Sequence, residues 1–342
     1  MKRICRWQQW IIRSISMSTA LLLIACAGTP SDAATRTLRI AWVSKSVGNP
    51  VFDLGQRGAL QRAAELSARG PVKVEVVTVG PASADAIEQA RIMDDLIARG
   101  VDGIAVSCND PTACRDPIDR AVAAGIPVMT WDSDAPDSQR FSFLSVDNRA
   151  AGSTAADLLA KAIDQHGKVA VITGVPGALN LQQRIDGFSE RLAAHYPAIE
   201  IVRVVTTNED INLGVQGVEE TMQAHPDLRG WFLAGMWPLV ADRGSMPLWE
   251  VASRNGTVKT VAFDTLPLEL DLLRDGYLEA LIGQKYWRWG ADSIQMVYDY
   301  IVTGTRYPAF IDTGIDVVTR NNVEAMRQAW QTDDWTRPLP PP

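Results

Sequence analysis

Polar and aromatic residues recur in this sequence immediately after short apolar runs, and their types suit hydrogen bonding to a polyhydroxylated solute. The sets are Ser44-Lys45-Ser46-Val47-Gly48-Asn49-Pro50, Cys108-Asn109-Asp110, Trp131-Asp132-Ser133-Asp134, Gly174-Val175-Pro176-Gly177, Thr207-Asn208-Glu209-Asp210, Gly235-Met236-Trp237, Asp264-Thr265 and Gly283-Gln284-Lys285. Carboxylates accept from hydroxyls, cations and amides donate to ring oxygens, and an indole covers an apolar C–H face. A sugar or polyol fits such a set. Bond-making chemistry has no comparable support. The histidines are His166, His195 and His225, scattered along the chain, and HExxH, CxxC, EF-hand, Walker, GxSxG and GxGxxG patterns are missing. The reading is therefore a binding protein and not an enzyme, with no metal and no cofactor.

These loops need a scaffold that gathers them on one side. Apolar strand signals at 37–44, 74–79, 102–107, 126–130, 168–173, 199–206, 230–233, 258–263 and 278–282 alternate with helical periodicity. The helices are expected over 53–69, up to Gly100, 115–124, 149–164, 181–195, 212–224, near 244–254, 268–275 and 289–303. Short buried strands alternating with helices predict an α/β fold of parallel sheets covered on both faces. Such sheets bind ligands beyond the carboxyl ends of their strands, where the polar sets lie. The length of 342 residues accommodates two doubly wound units.

Charge and targeting signals narrow the setting. Lysine and arginine total 33 against 40 acids, a formal net charge of −7. Lys2, Arg3, Arg6 and Arg13 lie in the first 25 residues without any acid, so losing them moves the net charge from −7 to −11. That acidity argues against nucleic acid as a partner. The four cations precede an apolar stretch over 15–25, a secretory pattern too short to span a bilayer. Leu23-Ile24-Ala25-Cys26 resembles a bacterial lipobox, which would make residues 1–25 a signal peptide, Cys26 the lipidation site and 26–36 a linker. Cleavage after Ala33 or Ala34 is the alternative. The expected setting is extracytoplasmic, with the membrane reached only through a lipid anchor. In such an oxidising compartment Cys108 and Cys114 are either a local disulfide or two partly buried thiols.

Segment order and motifs resemble the type I periplasmic sugar-binding proteins of ABC transporters, the group of the ribose-binding protein. The likeness runs over about residues 37–320. It rests on KSVGNPVF at 45–52, RGVDGIAVS at 99–107, AGIPVMTWDSD at 124–134, SVDNRAAG at 145–152, QRIDGF at 183–188, AHPDLRGWF at 224–232 and VAFDT at 261–265. The resemblance implies two doubly wound lobes joined by a three-strand hinge. Lobe one would be 37–146 plus 285–312, lobe two 147–284 plus 313–330, and 331–342 a disordered tail. It also implies a monomer that closes around its ligand and delivers it to an ABC permease. A sensory role for the same fold is the alternative, and a repressor of this fold would need an N-terminal DNA-binding unit where this chain carries its signal segment.

Matched residue by residue, the resemblance places ligand contacts at Lys45, Asn49, Phe52, Asp132, Arg184, Asp264 and Gln284. Asn49 would bond hydroxyls, Phe52 stack, Asp132 and Asp264 accept hydroxyl protons, and Arg184 donate in a fork. The bland readings are a helix cap for Asp264, an exposed helix position for Arg184, a turn at Asn49-Pro50 and a solvated acidic turn for Asp134 and Asp137. The family carries Asn-Asp where this chain has Gly235-Met236 before Trp237, and an arginine where it has Ser133. Both departures change donor count and pocket shape and argue against ribose itself. Strand-end geometry adds Trp131 and Trp237 as indoles facing each other across the ligand, with ordinary core packing the alternative for each; Trp287 and Trp289 are expected in the core.

Overall fold

The computed structural model describes residues 36–335 and 338–342, so the signal segment and Cys26 lie outside the described residues. In chain order the strands are β1 (Thr37–Val43), β2 (Lys73–Val79), β3 (Gly103–Val106), β4 (Val128–Trp131), β5 (Phe143–Ser145) and β6 (Gly167–Thr173). They continue as β7 (Ile199–Thr206), β8 (Leu228–Leu233), β9 (Lys259–Phe263), β10 (Ala280–Gly283), β11 (Phe310–Asp312) and β12 (Asp316–Val318). The helices are α1 (Pro50–Arg69), α2 (Ala86–Ala98), α3 (Pro111–Ala123), α4 (Asn148–Ala162) and α5 (Leu179–His195). They are followed by α6 (Ile211–Ala224), α7 (Pro247–Arg254), α8 (Pro267–Arg274), α9 (Tyr286–Val302) and α10 (Val323–Thr332).

The strands form two sheets, ordered β11-β5-β4-β3-β1-β2 and β12-β10-β9-β8-β6-β7. Each pairing is parallel except β10 with β12, where Ile282 faces Val317. The chain passes between the sheets after β5, after β10 and after β11, which is the two-lobed type I architecture. Central strands such as β3, β4 and β10 are buried along their whole length because helices cover both faces.

Local chemistry sets the helix starts. Asn49, Asp85, Asp110, Asp147 and Asp210 each accept from a first-turn amide of the helix that follows. Pro50 and Pro111 sit where a missing N–H costs nothing. The Asp110 cap is why α3 begins four residues before the periodicity suggests.

Two helix pairs lie against each other closely enough to exclude side chains. A Cβ on Gly290 of α9 would come 1.8 Å from the carbonyl of Gly55 in α1. A Cβ on Gly152 of α4 would come 2.1 Å from the carbonyl of Arg184 in α5, and one on Gly187 would come 2.0 Å from that of Arg149. The second contact sets where Arg184 leaves its helix.

Several expectations need correction. The helix expected near 244–254 is a 3₁₀ turn over Trp237–Val240 and the shorter α7, because Pro238 and Pro247 punctuate the stretch. The last helix of lobe one starts at Tyr286, not at 289. β5, β11 and β12 are three residues each, too short for a periodic signal. Within the segment beyond 331, expected to be disordered, the described residues 332–335 and 338–342 make packing contacts. Trp335 packs edge-on against Trp330 at 5.0 Å, and the Pro340 carbonyl accepts from Asn322 at 2.9 Å. Its apolar residues supply the reason, since Trp335 and Leu339 pack against the lobe-two core.

Candidate functional site

The carboxyl ends of both sheets open on one cavity between the lobes. It is lined by Lys45, Asn49, Phe52 and Asp132 from lobe one and by Arg184, Trp237, Asp264 and Gln284 from lobe two, with Asn180, Glu209 and Trp289 among its further walls. The cavity thus holds each sequence-predicted contact except Trp131.

Lobe one presents Lys45 from the loop after β1 and Asp132 from the end of β4. Asp132 takes a left-handed backbone, φ 58°, which an aspartate tolerates and a branched residue would not. Its Oδ2 accepts from the Ser107 hydroxyl at 2.9 Å and faces the Lys45 ammonium at 3.4 Å. The loops behind are laced by Gln89 of α2. Its amide donates to the carbonyls of Ser44 and Ser107 and accepts from the Asn109 N–H. Asn109 in turn donates to the Lys45 carbonyl at 2.9 Å. Cys108 and Cys114 are joined as a disulfide, tying this loop to α3.

Lobe two presents Arg184 from α5. Its guanidinium donates to Asn148 Oδ1 at 2.9 Å, the Ala234 carbonyl at 2.8 Å and Gln284 Oε1 at 2.7 Å, and it lies 4.0 Å over the Phe263 ring. The exposed-helix reading of Arg184 is therefore wrong: only 2% of the residue is accessible. Burial pushes its pKa down, opposed by the charges of Asp264 and Asp132. Asp264 follows β9 with φ 81° and caps no helix; its Oδ1 accepts from Gln284 at 3.1 Å and from the Tyr286 hydroxyl at 3.0 Å. Burial pushes the Asp264 carboxyl up while Arg184 and the two hydrogen bonds hold it down. Tyr286 is itself buried and raised well above its ordinary value, so it acts here as a donor.

The lobes meet across the cavity at hydrogen-bond distance. Lys45 donates to Asn180 Oδ1 at 2.9 Å, Asn180 donates to Asp132 Oδ1 at 3.1 Å, and Arg184 stands 4.0 Å from the same oxygen. This is the closed arrangement of the two lobes.

The aromatic expectation is half right. Trp237 lines the cavity, its ring seated over Gly174 and Gly235, where an added Cβ would come 2.6 Å from indole carbons. Gly235 is thus the partner that the indole requires. Trp131 does not face the ligand space. It stacks on Trp42 at 4.2 Å and 12°, with Phe52 edge-on at 5.7 Å, and its buried Nε1 has no hydrogen-bond partner among the described residues. Trp131 is the last residue of β4 and turns into the core, whereas Asp132, just past the strand with its left-handed backbone, turns toward the cleft. Trp289 is fully buried in the lobe-one core, as expected, and also forms part of the cavity wall. Asp134, expected in a solvated turn, is buried and paired with Arg140 while accepting from Thr130 at 2.6 Å.

The residues that sequence reasoning missed are mostly amides. Asn180 stands one helical turn before Arg184, so its place on the same face was the available signal. Asn148 lay inside a quoted motif, and Glu209 inside a quoted strand-end set. Among the described residues no group of three or more His, Cys, Asp and Glu is placed to hold a metal ion. The arrangement can orient a neutral polar ligand with fixed donors, acceptors and aromatic faces.

The comparisons agree with this geometry. A family model described as a periplasmic binding protein domain matches residues 40–305. A xylose/arabinose-binding protein of Sulfolobus acidocaldarius is 27% identical over 305 residues, spanning 84% of this chain and 72% of its own. A D-ribose/D-allose-binding protein of Pseudomonas aeruginosa is 28% identical over 291 residues, spanning 82% and 88%. Among solved structures, an ABC transporter solute-binding protein of Burkholderia graminis in complex with D-arabinose superposes with a TM-score of 0.77 at 34% identity, covering 84% of this chain and 96% of that one. With the family model spanning most of the chain and the same two-lobed fold in its relatives, this protein belongs to the periplasmic binding protein family.

Proposed function

We propose that this protein captures a neutral sugar or polyol between its lobes and delivers it to an ABC permease, as a monomer anchored through lipid at Cys26. The observation that carries the reading is the placement of Asp132 from one lobe and Asp264 from the other in a single buried cavity with Arg184. Each carboxylate keeps lone pairs beyond those its protein partners use, so ligand hydroxyls have acceptors on both sides. Phe52, Trp237 and Trp289 supply flat apolar walls for ring C–H faces. The D-arabinose complex of the Burkholderia graminis relative and the pentose names of the curated relatives support a sugar of about this size.

The mechanism is a population shift. Ligand contacts from both lobes add to the direct Lys45–Asn180–Asp132 bonds and shift the population toward the closed state, which the permease reads. No bond in the ligand changes.

Isothermal calorimetry against pentoses, hexoses, deoxysugars and polyols tests the proposal. Saturable binding of one sugar or polyol is expected, with a change in intrinsic fluorescence from the cavity indoles. Silence across that panel together with tight binding of an amino acid or nucleoside would overturn the ligand class.

A further inference from the structure

Glu209 differs from every other ionised group in the cavity because, among the described residues, none hydrogen-bonds or ion-pairs with its carboxylate. Lys45 is held by Asn180, Asp132 by Ser107 and Asn180, Arg184 by Asn148, Ala234 and Gln284, and Asp264 by Gln284 and Tyr286. Among the described residues the Glu209 carboxylate takes part in no hydrogen bond or ion pair, while its backbone N–H donates to Thr207 Oγ1 at 3.1 Å.

Its position is nevertheless built. Asn208 and Glu209 both take left-handed backbone conformations, φ 52° and 62°, which are costly for residues with a Cβ. The turn is pinned on one side by Thr207 and on the other by Asp210, which caps α6 by accepting from Leu213. Between these anchors the Glu209 side chain reaches the cavity wall. Three carboxylates, Asp132, Asp264 and Glu209, then face two cations, Lys45 and Arg184, an excess of one acid.

We propose that Glu209 is the residue that sets the charge class of the ligand: its free carboxylate accepts from a ligand hydroxyl or ammonium, and it refuses sugars that carry an acid. The inference rests on the sugar-binding reading above. A neutral sugar gives Glu209 the hydrogen bond that the protein withholds. An amino sugar would add a charge of the sign the cavity lacks. A uronate would bring a fourth carboxylate into a low-dielectric space, where like charges repel far more strongly than in water. Burial together with Asp132 and Asp264 pushes the Glu209 carboxyl up, opposed by Lys45 and Arg184, as expected of a group waiting for a donor.

The test uses the tightest neutral sugar of the panel with its uronate and amino counterparts, titrated calorimetrically into wild type, Glu209→Gln and Glu209→Asp. Wild type should bind the neutral sugar and the uronate at least about 100-fold more weakly. Glu209→Gln should lose about tenfold in affinity for the neutral sugar, since a charged acceptor is replaced by an amide, and should compress the neutral-to-uronate ratio at least about tenfold. Glu209→Asp keeps the charge but withdraws it, so the neutral sugar weakens while the uronate stays refused. The Asp variant also carries the test if the Gln variant does not fold. Glu209→Gln with wild-type affinity and a wild-type ratio would overturn the inference and leave sugar binding standing. Wild type that binds no sugar of the panel would overturn the sugar reading itself, and this inference with it.

Discussion

Arg184 and Asp264 face the same ligand space, yet their protein partners make them respond differently to substitution. Replacing Arg184 with alanine strands three buried acceptors, on Asn148, Ala234 and Gln284, and leaves Asp264 without its counter-charge. An unsatisfied buried group costs about 1–3 kcal/mol, so Arg184→Ala should lower the melting temperature of the ligand-free protein as well as weaken sugar binding by about 2–4 kcal/mol. Asp264→Asn keeps an oxygen for the Gln284 and Tyr286 donors and loses only the charge. It should melt near wild type and lose about 2 kcal/mol of affinity. Calorimetry paired with thermal melts separates the two; an Arg184→Ala protein as stable as wild type would mean that the stranded acceptors find other partners.

At the scale of elements, α8 places a carboxylate where none can be comfortable. Glu269 is fully buried, accepts from the Leu266 N–H at 2.8 Å through one oxygen and leaves its other oxygen without a partner. Burial, then the charge of Asp264, pushes its pKa well above the ordinary glutamate value. Its folded-state pKa therefore exceeds the unfolded one, about 4.3. Stability from this group is fully present below that unfolded value and is lost as pH rises through the folded one. Glu269→Gln keeps an acceptor for Leu266 and has no proton to release. The variant should gain on wild type as pH rises from about 4.5 to 8, by about 1.4 kcal/mol for each unit that the pKa is displaced. Melting curves that stay parallel across that range would show the carboxylate to be unperturbed.

Taken whole, the molecule couples its two sheets through more than the cavity. Trp330 of α10 donates to the Thr265 carbonyl at 2.7 Å, next to Asp264, and the adjoining Asp333 pairs with Arg57 of α1 at 3.1 Å. The C-terminal segment therefore touches both lobes near the crossings about which closure must turn. No helix among the described residues is long and apolar enough to cross a membrane. The lipid proposed at Cys26, supported by its setting in Leu23-Ile24-Ala25-Cys26, would hold the protein at a membrane. Cys26→Ser should move the protein from the membrane fraction to the soluble one with sugar binding intact. Continued retention of that variant would require a different anchor.

Period and punctuation carried the sequence reading a long way. Alternating strand and helix signals, Asp and Asn before helices, and polar sets after strands determined a doubly wound fold with its ligand site at the strand ends. The motif resemblance then named the charged contacts, and Lys45, Asp132, Arg184, Asp264 and Gln284 do share one cavity. Side-chain direction was decided only by tertiary structure. Trp131 and Asp132 are neighbours in sequence, and the pleat and a left-handed turn send one into an aromatic stack and the other into the cleft. Partner supply was decided there too. Asn148, Asn180 and Gln89 read as ordinary polar helix residues until the fold sets them against buried charges and carbonyls. Glu209 belonged to a legible strand-end set, but that no described residue hydrogen-bonds or ion-pairs with its carboxylate is a property of everything around it. Local preferences act over a few residues and can be read along the chain; burial and hydrogen-bond satisfaction are sums over groups far apart in sequence, and only the packed molecule evaluates them.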